Sequence, residues 1–198
     1  MSLRSLVEFF SAGTRLPIDP TDVANKATSL GFHDEINFVG VEMERPQALK
    51  GMFRSYVRPT GVYAEPIVCA DIYYDRRLTR DWMRLVCCKE VLHVFDNRHQ
   101  QTHTRDEVAK LIGDISTGIL GGSIEGWGLH GLSDKLALFQ ALAILFPLDA
   151  REALLPAFQN KTLTLADLAA AADLPAEFVA VIMHDDWVSV HEMILRTC

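Results

Sequence analysis

An α+β fold is predicted for this 198-residue chain, because its strand-like segments all lie in one stretch flanked by helical sequence. Residues 36–44, 52–58 and 67–74 are rich in β-branched and aromatic residues, and prolines at 46, 59 and 66 separate them. Apolar residues at helical spacing precede this stretch and continue through the second half of the chain. We therefore expect a small twisted β-sheet packed on helices.

Two helices are predicted before the sheet and one directly after it. Residues 1–10 carry one Arg and an internal Glu8, a pattern that favours a helix over a signal peptide. The Asp19-Pro20 pair should begin a second helix that ends at Leu30. The third should run from Leu78 to about Asp96, and it contains the most informative motif of the chain.

The second half of the chain is predicted to be helical apart from one glycine-rich segment. Residues 104–112 open with capping-box spacing and should form a helix. Seven of the twelve glycines lie between Gly113 and Gly131, which is typical either of a functional lid or of a plain surface connection. The Ser133-Asp134 pair should cap the next helix, which Pro147 ends. Short helices are expected over about 149–159, 164–172, 175–183 and 186–196.

The chain is predicted to be one domain in three sections: helices and sheet over 1–75, the motif helices and glycine-rich loop over 78–147, and a helical subdomain over 148–198. A formal charge of −7 argues against direct nucleic-acid binding. The four cysteines form no disulfide framework, which favours a cytoplasmic location, and no apolar run approaches the ~18 residues of a membrane span. The oligomeric state stays open.

Residues 89–93 read Lys-Glu-Val-Leu-His and differ at one position from the zinc-peptidase motif H-E-x-x-H. In that motif two His side chains on one helix face bind zinc, and the Glu acts as general base. Here Glu90 and His93 are present, but Lys89 replaces the first His. A protonated ammonium has no lone pair and cannot bind a metal. The motif therefore predicts a peptidase-like site and questions its metal.

A helical wheel of residues 85–97 places Lys89, Glu90, His93, Asp96 and Asn97 in a sector of roughly 120°, with apolar residues opposite. This stripe is either an ordinary solvated face or the wall of a cleft.

A third metal ligand has two candidates. His99 has the spacing of the long metzincin motif, although Asp96 stands where that motif needs Gly. Asp134 lies at the predicted start of a later helix, where a carboxylate completes the His₂-carboxylate zinc sites. An acidic residue at a helix start is also explained by the helix dipole alone.

Taken in order, these motifs resemble those of the ImmA/IrrE family of zinc metallopeptidase-like proteins. A strand over 67–74 and an Arg-containing segment over 78–84 precede the motif helix. The family pattern E-x-x-A-N-x-F-A-x-x-L-L-M-P is similar to residues 134–147, and its later L-A-x-x-F-x-V-S is similar to residues 165–175. The resemblance covers about residues 20–183.

The resemblance implies a zincin-like fold, with zinc held at the positions of His93 and Asp134 and Glu90 as the catalytic acid/base. It departs from the family at Lys89, at Asp134 (usually Glu) and at Leu138 (usually Asn). Relatives act in stress or mobile-element regulation, often on a transcriptional repressor.

Two arrangements of the site remain open. The Lys89 ammonium could take the zinc position and pair with Glu90 and Asp134, which is the arrangement that we favour. Alternatively Lys89 turns away, and His93 and Asp134 hold zinc together with His99 or His130.

The function predicted is a peptidase-family protein with a degenerate zinc site, weakly active or inactive and regulatory in role. Its expected partner is a protein or peptide, such as a transcriptional regulator. The alternative is a non-catalytic peptide- or protein-binding module that uses the inherited cleft. A plain helical interaction domain is a third interpretation.

Overall fold

The structure is a computed structural model that describes residues 2–43, 51–96 and 129–198. It confirms the α+β class and the order of helices and strands. Within these ranges the helices and strands are α1 Leu3–Ser11, α2 Pro20–Ser29, β1 Glu35–Val41, β2 Gly51–Arg58, β3 Ile67–Asp75, α3 Arg80–Leu92, α4 Leu129–Leu145, α5 Leu148–Gln159, α6 Leu165–Ala172, α7 Ala176–Ile182 and α8 Trp187–Thr197.

Local capping explains why several helices begin where the sequence predicts. The Asp19 carboxylate accepts a hydrogen bond from the Thr21 backbone N–H, and Pro20 occupies the first helical position of α2. At α6, Thr164 and Asp167 form a complete capping box. These contacts satisfy backbone donors that would otherwise have no partner in the first helical turn.

The sheet has the strand order β1-β3-β2, with β1 parallel and β2 antiparallel to the central β3. Ile72 of β3 pairs with Phe38 of β1 and Phe53 of β2, so three apolar side chains lie side by side on one face. Helix α3 packs on this face, and Leu85, Cys88 and Val91 join Ile72 in the main core. The sheet thus supports the motif helix, as expected.

Helix α4 passes through the centre of the core and contacts α3. Its residues from Ala141 to Leu145 are all fully buried, as is Phe146 after it. Burying a Leu, Ile or Phe side chain contributes roughly 2 kcal/mol each, so this segment stabilises the α3–α4 contact strongly. Two helices so firmly packed can hold side chains in fixed positions between them.

The predicted start of α4 is wrong, since the helix begins at Leu129, a full turn before Ser133. Asp134 therefore lies inside the helix rather than at its N-terminus. The apolar spacing of Leu129, Leu132 and Leu136 extends the helical pattern upstream and outweighs the local capping signal of Ser133. The last part of the predicted glycine-rich loop, residues 129–131, is accordingly helical.

Several predictions lie outside the described residues, namely the helix over 104–112, the remainder of the glycine-rich loop, and His99. The motif helix is also shorter than predicted. Its α-helical part ends at Leu92, and His93–Phe95 form a 3₁₀ turn before Asp96. Within the described ranges, no helix has both the length and the apolar character needed to cross a bilayer.

Candidate functional site

The C-terminal end of α3, the first residue of β2 and the second turn of α4 meet at one place in the fold. Glu90 is buried there, with only 4% of its surface exposed. Lys89 and His93 are mostly buried beside it, whereas the Asp134 side chain is 57% exposed. Three residues of the polar stripe, Lys89, Glu90 and His93, are therefore enclosed, whereas Asp96 is exposed.

Lys89 connects the two carboxylates of this site. Its Nζ atom lies 2.9 Å from Glu90 Oε1 and also donates a hydrogen bond to Asp134 Oδ1. Burial lowers the pKa of Lys89, but the Glu90 charge and the hydrogen bonds to both carboxylates raise it by more, so the net shift is upward. The side chain is an ammonium at neutral pH.

His93 is held by a carboxylate on each side. Its Nδ1 atom lies 2.7 Å from Asp96 Oδ2, and its Nε2 atom lies 3.8 Å from Glu90 Oε2. Burial lowers the pKa of His93, while the Asp96 hydrogen bond and the charges of Asp96 and Glu90 raise it to a net upward shift. Asp96 thus fixes the ring so that Nε2 points into the site, an arrangement usual for metal-binding His residues.

Gly51 closes the site from the side of the sheet. A Cβ atom at this position would lie 2.6 Å from Val86 Cγ1, 2.7 Å from Glu90 Cγ and 2.8 Å from Glu90 Oε1. Only Gly allows the backbone of β2 to approach α3 so closely. β2 therefore lies directly against the Glu90 carboxylate.

The structure brings together the four residues predicted to share a site. Glu90, His93 and Asp134 each offer a ligand atom within 4.8 Å of the other two, and Lys89 contacts both carboxylates. The catalytic role of Glu90 and the ligand roles of His93 and Asp134 remain predictions. Sequence reasoning missed the contact of Asp96 with His93 and the close approach of Gly51. A Gly at the start of a predicted strand was the available signal for the latter.

The arrangement does not fit a zinc ion as it stands, although Glu90, His93 and Asp134 lie close enough together to share one. The Lys89 ammonium contacts the Asp134 carboxylate that would bind the metal and the Glu90 carboxylate that would act on its bound water. What the cluster does hold is an internal cation with two carboxylate partners, beside a His.

The two cysteines of the motif helix offer no alternative chemistry. Cys87 and Cys88 are buried on its apolar side, as predicted. Burial raises the pKa of Cys87 to about 12, and it also raises the pKa of Cys88. Both stay protonated at neutral pH and act as small core residues rather than nucleophiles.

Comparison of the chain with protein-family models, with curated proteins and with solved structures gives no match.

Proposed function

We propose that this chain is an ImmA/IrrE-like protein with a zincin-like fold and little or no peptidase activity, which acts on a regulatory pathway by binding a protein or peptide partner. The observation that carries the proposal is the contact of Lys89 with both Glu90 and Asp134. In a zinc peptidase those carboxylates serve the metal and its bound water. Here an ammonium pairs with both of them.

The order of the site in the chain supports the peptidase origin. A sheet strand precedes the motif helix, and the later helix α4 supplies a carboxylate opposite the motif His. His93 is oriented by Asp96, as zinc-binding His residues commonly are by a second carboxylate. An ordinary salt bridge between packed helices would need only Lys89 and Asp134. The buried Glu90 and the oriented His93 are the additional features that the proposal explains.

The proposal is tested by metal content and proteolysis on tag-free protein purified without chelators. We expect less than stoichiometric zinc by inductively coupled plasma mass spectrometry, and no zinc-dependent cleavage of casein or of a mixed peptide library. The matched variant is Glu90→Gln, which should behave like the wild type. Zinc-dependent cleavage that the wild type performs and Glu90→Gln lacks would refute the proposal.

A specific observation also favours the alternative of a peptide-binding module. Among the described residues, β2 pairs with β3 on one side and has no strand paired to its other edge. The same strand lies against Glu90 at Gly51. Met52 and Val57 of β2 are exposed apolar residues. An extended peptide could add to such an edge by main-chain hydrogen bonds.

Peptide binding is measured by fluorescence polarisation with a labelled, unstructured peptide library. We expect saturable binding that Ser55→Pro weakens, because proline removes a backbone donor from the strand. The control is the variant Ser189→Ala in helix α8, which should bind the peptides as the wild type does. Binding that is equal in Ser55→Pro and Ser189→Ala, with circular dichroism unchanged, would place the peptide elsewhere.

A further inference from the structure

We propose that the Lys89 ammonium is the resident cation of this site and that its charge is what excludes a divalent metal, so that replacing Lys89 by His opens a zinc site. The inference rests on the proposed function, because it treats the cluster as a peptidase-derived site. It goes further by assigning the exclusion of metal to one side chain.

The Lys89 ammonium occupies space that a bound metal would need. Lys89 Nζ lies 2.9 Å from Glu90 Oε1 and in hydrogen-bond contact with Asp134 Oδ1. A zinc ion bound to Asp134 Oδ1 would lie about 2.0–2.2 Å from the oxygen that this ammonium contacts. The ammonium and the metal would therefore occupy overlapping positions, and only one of them can be bound.

The charge of Lys89 also repels a divalent metal. The two carboxylates and the ammonium sum to a formal charge of −1, and loss of the ammonium brings the donor set to −2. The Lys89 side chain is only 16% exposed, so its repulsion of an incoming divalent cation is weakly screened by water.

The other donors of the site suit zinc once Lys89 is replaced by His. His93 keeps an Nε2 atom directed at Glu90, and Asp96 holds the opposite ring nitrogen. Position 89 precedes His93 by one helical turn, so a His there lies on the same helix face. Lys89→His would then provide two imidazoles and the Asp134 carboxylate, which is a complete donor set for tetrahedral zinc with one open position.

The test is zinc titration of tag-free protein by isothermal calorimetry, with cobalt absorption as a report of tetrahedral coordination. We expect Lys89→His to bind one zinc at least about 100-fold more tightly than the wild type. Adding His93→Ala to Lys89→His should abolish the gain. Lys161→His makes the same change of charge and residue at an exposed position, and it should leave zinc binding as in the wild type.

Two results would overturn the inference. One is wild-type protein that binds zinc as tightly as Lys89→His. The other is Lys89→His protein that gains no zinc site while its circular dichroism and thermal unfolding show a folded chain. Lys89→Met tests the charge separately, in case the His introduced by Lys89→His is badly placed. Loss of the charge alone should raise the zinc affinity above that of the wild type. Failure of both variants leaves the proposed function standing, whereas zinc-dependent proteolysis by the wild type would refute that function instead.

Discussion

Helix α3 carries two enclosed cations, Arg84 and Lys89, and backbone acceptors distinguish them. Arg84 is 3% exposed; it donates to the backbone carbonyl groups of Ile18 and Asp173 and also lies 3.3 Å from the Asp173 carboxylate. Lys89 contacts two side-chain carboxylates, Glu90 and Asp134. Backbone carbonyls have fixed positions and no net charge, whereas carboxylates at this spacing also suit a metal ion.

We interpret Arg84 as a structural cation and Lys89 as the cation of the candidate site. Arg84 joins three distant segments of the chain: the segment before α2, the helix α3 and the residue that ends α6. The fork of its guanidinium serves several acceptors at once, which an ammonium cannot do with the same geometry. Lys89 joins two helices that the apolar core already packs together, so its charge matters more than its shape.

The largest effect is expected from Arg84→Met, which should lower the free energy of unfolding by about 3 kcal/mol. The substitution leaves two buried carbonyl groups without a donor and Asp173 without its buried partner. Urea unfolding followed by circular dichroism measures the loss. Zinc should not restore stability to this variant, which distinguishes it from variants at Lys89. A loss below about 1 kcal/mol would show that the fold does not depend on this connection.

Gly51→Ala is expected to cost about 2 kcal/mol, because the new methyl group would overlap Val86 and Glu90. The same change at Gly31 introduces no such overlap, since nothing lies within 4 Å of a Cβ there. Gly31 has a φ of +85°, so that control measures backbone strain alone. Thermal unfolding of the two variants compares the effects. A loss below about 0.5 kcal/mol at Gly51 would mean that β2 can move away from α3 freely, and the enclosure of Glu90 would then be weak.

Much of the fold could be predicted from sequence because its signals are local. The Asp19-Pro20 pair and the residues around Thr164 place the starts of α2 and α6, and the observed caps explain why. The start of α4 was predicted wrongly because a good capping residue, Ser133, lies inside a longer helical pattern. The capping preference of Ser133 did not set the start of the helix, because apolar residues at helical spacing continue upstream of it.

The site was predictable only in part, for a different reason. The spacing of Glu90 and His93 within one helix is visible in sequence, but the approach of Asp134 depends on how α3 and α4 pack. Asp134 was proposed as a third ligand from the His₂-carboxylate arrangement on a later helix, and the family resemblance implied the same position. The contact of Gly51 with Glu90 had no such guide, because it depends on the path of β2 across α3. Contacts between distant segments carry no periodic signal.

Lys89→Met should lower the free energy of unfolding by about 2 kcal/mol, less than Arg84→Met, because water compensates the exposed Asp134 carboxylate and the buried Glu90 keeps His93 beside it. Combining Lys89→Met with Glu90→Gln should cost less than the sum of the two single changes. Removal of both partners leaves no buried charge unpaired. Urea unfolding of the four proteins in this cycle measures the coupling. Strictly additive losses would show that Lys89 and Glu90 do not interact energetically.

The smallest effect concerns His93, and it depends on pH. Its pKa is raised in the folded protein: burial lowers it, but the Asp96 hydrogen bond and the neighbouring carboxylates more than compensate. The protonated ring therefore stabilises the fold fully below about pH 6.5, and this contribution is lost as pH rises through the folded-state pKa. We expect His93→Gln to destabilise the protein more at pH 5.5 than at pH 8.5. The difference should stay below about 1 kcal/mol because Asp96 is exposed.

His191 provides the control of opposite sign for this experiment. Burial lowers the pKa of His191, so its neutral form stabilises the fold and that contribution is lost as pH falls below about 6.5. His191→Gln should therefore destabilise the protein less at pH 5.5 than at pH 8.5. Asp96→Asn should reduce the pH dependence attributed to His93 without altering that of His191, since Asp96 contacts only the former among these two rings. If His93→Gln and His191→Gln shift stability with the same sign, the carboxylates around His93 do not outweigh its burial, and the site is less negative than its contacts imply.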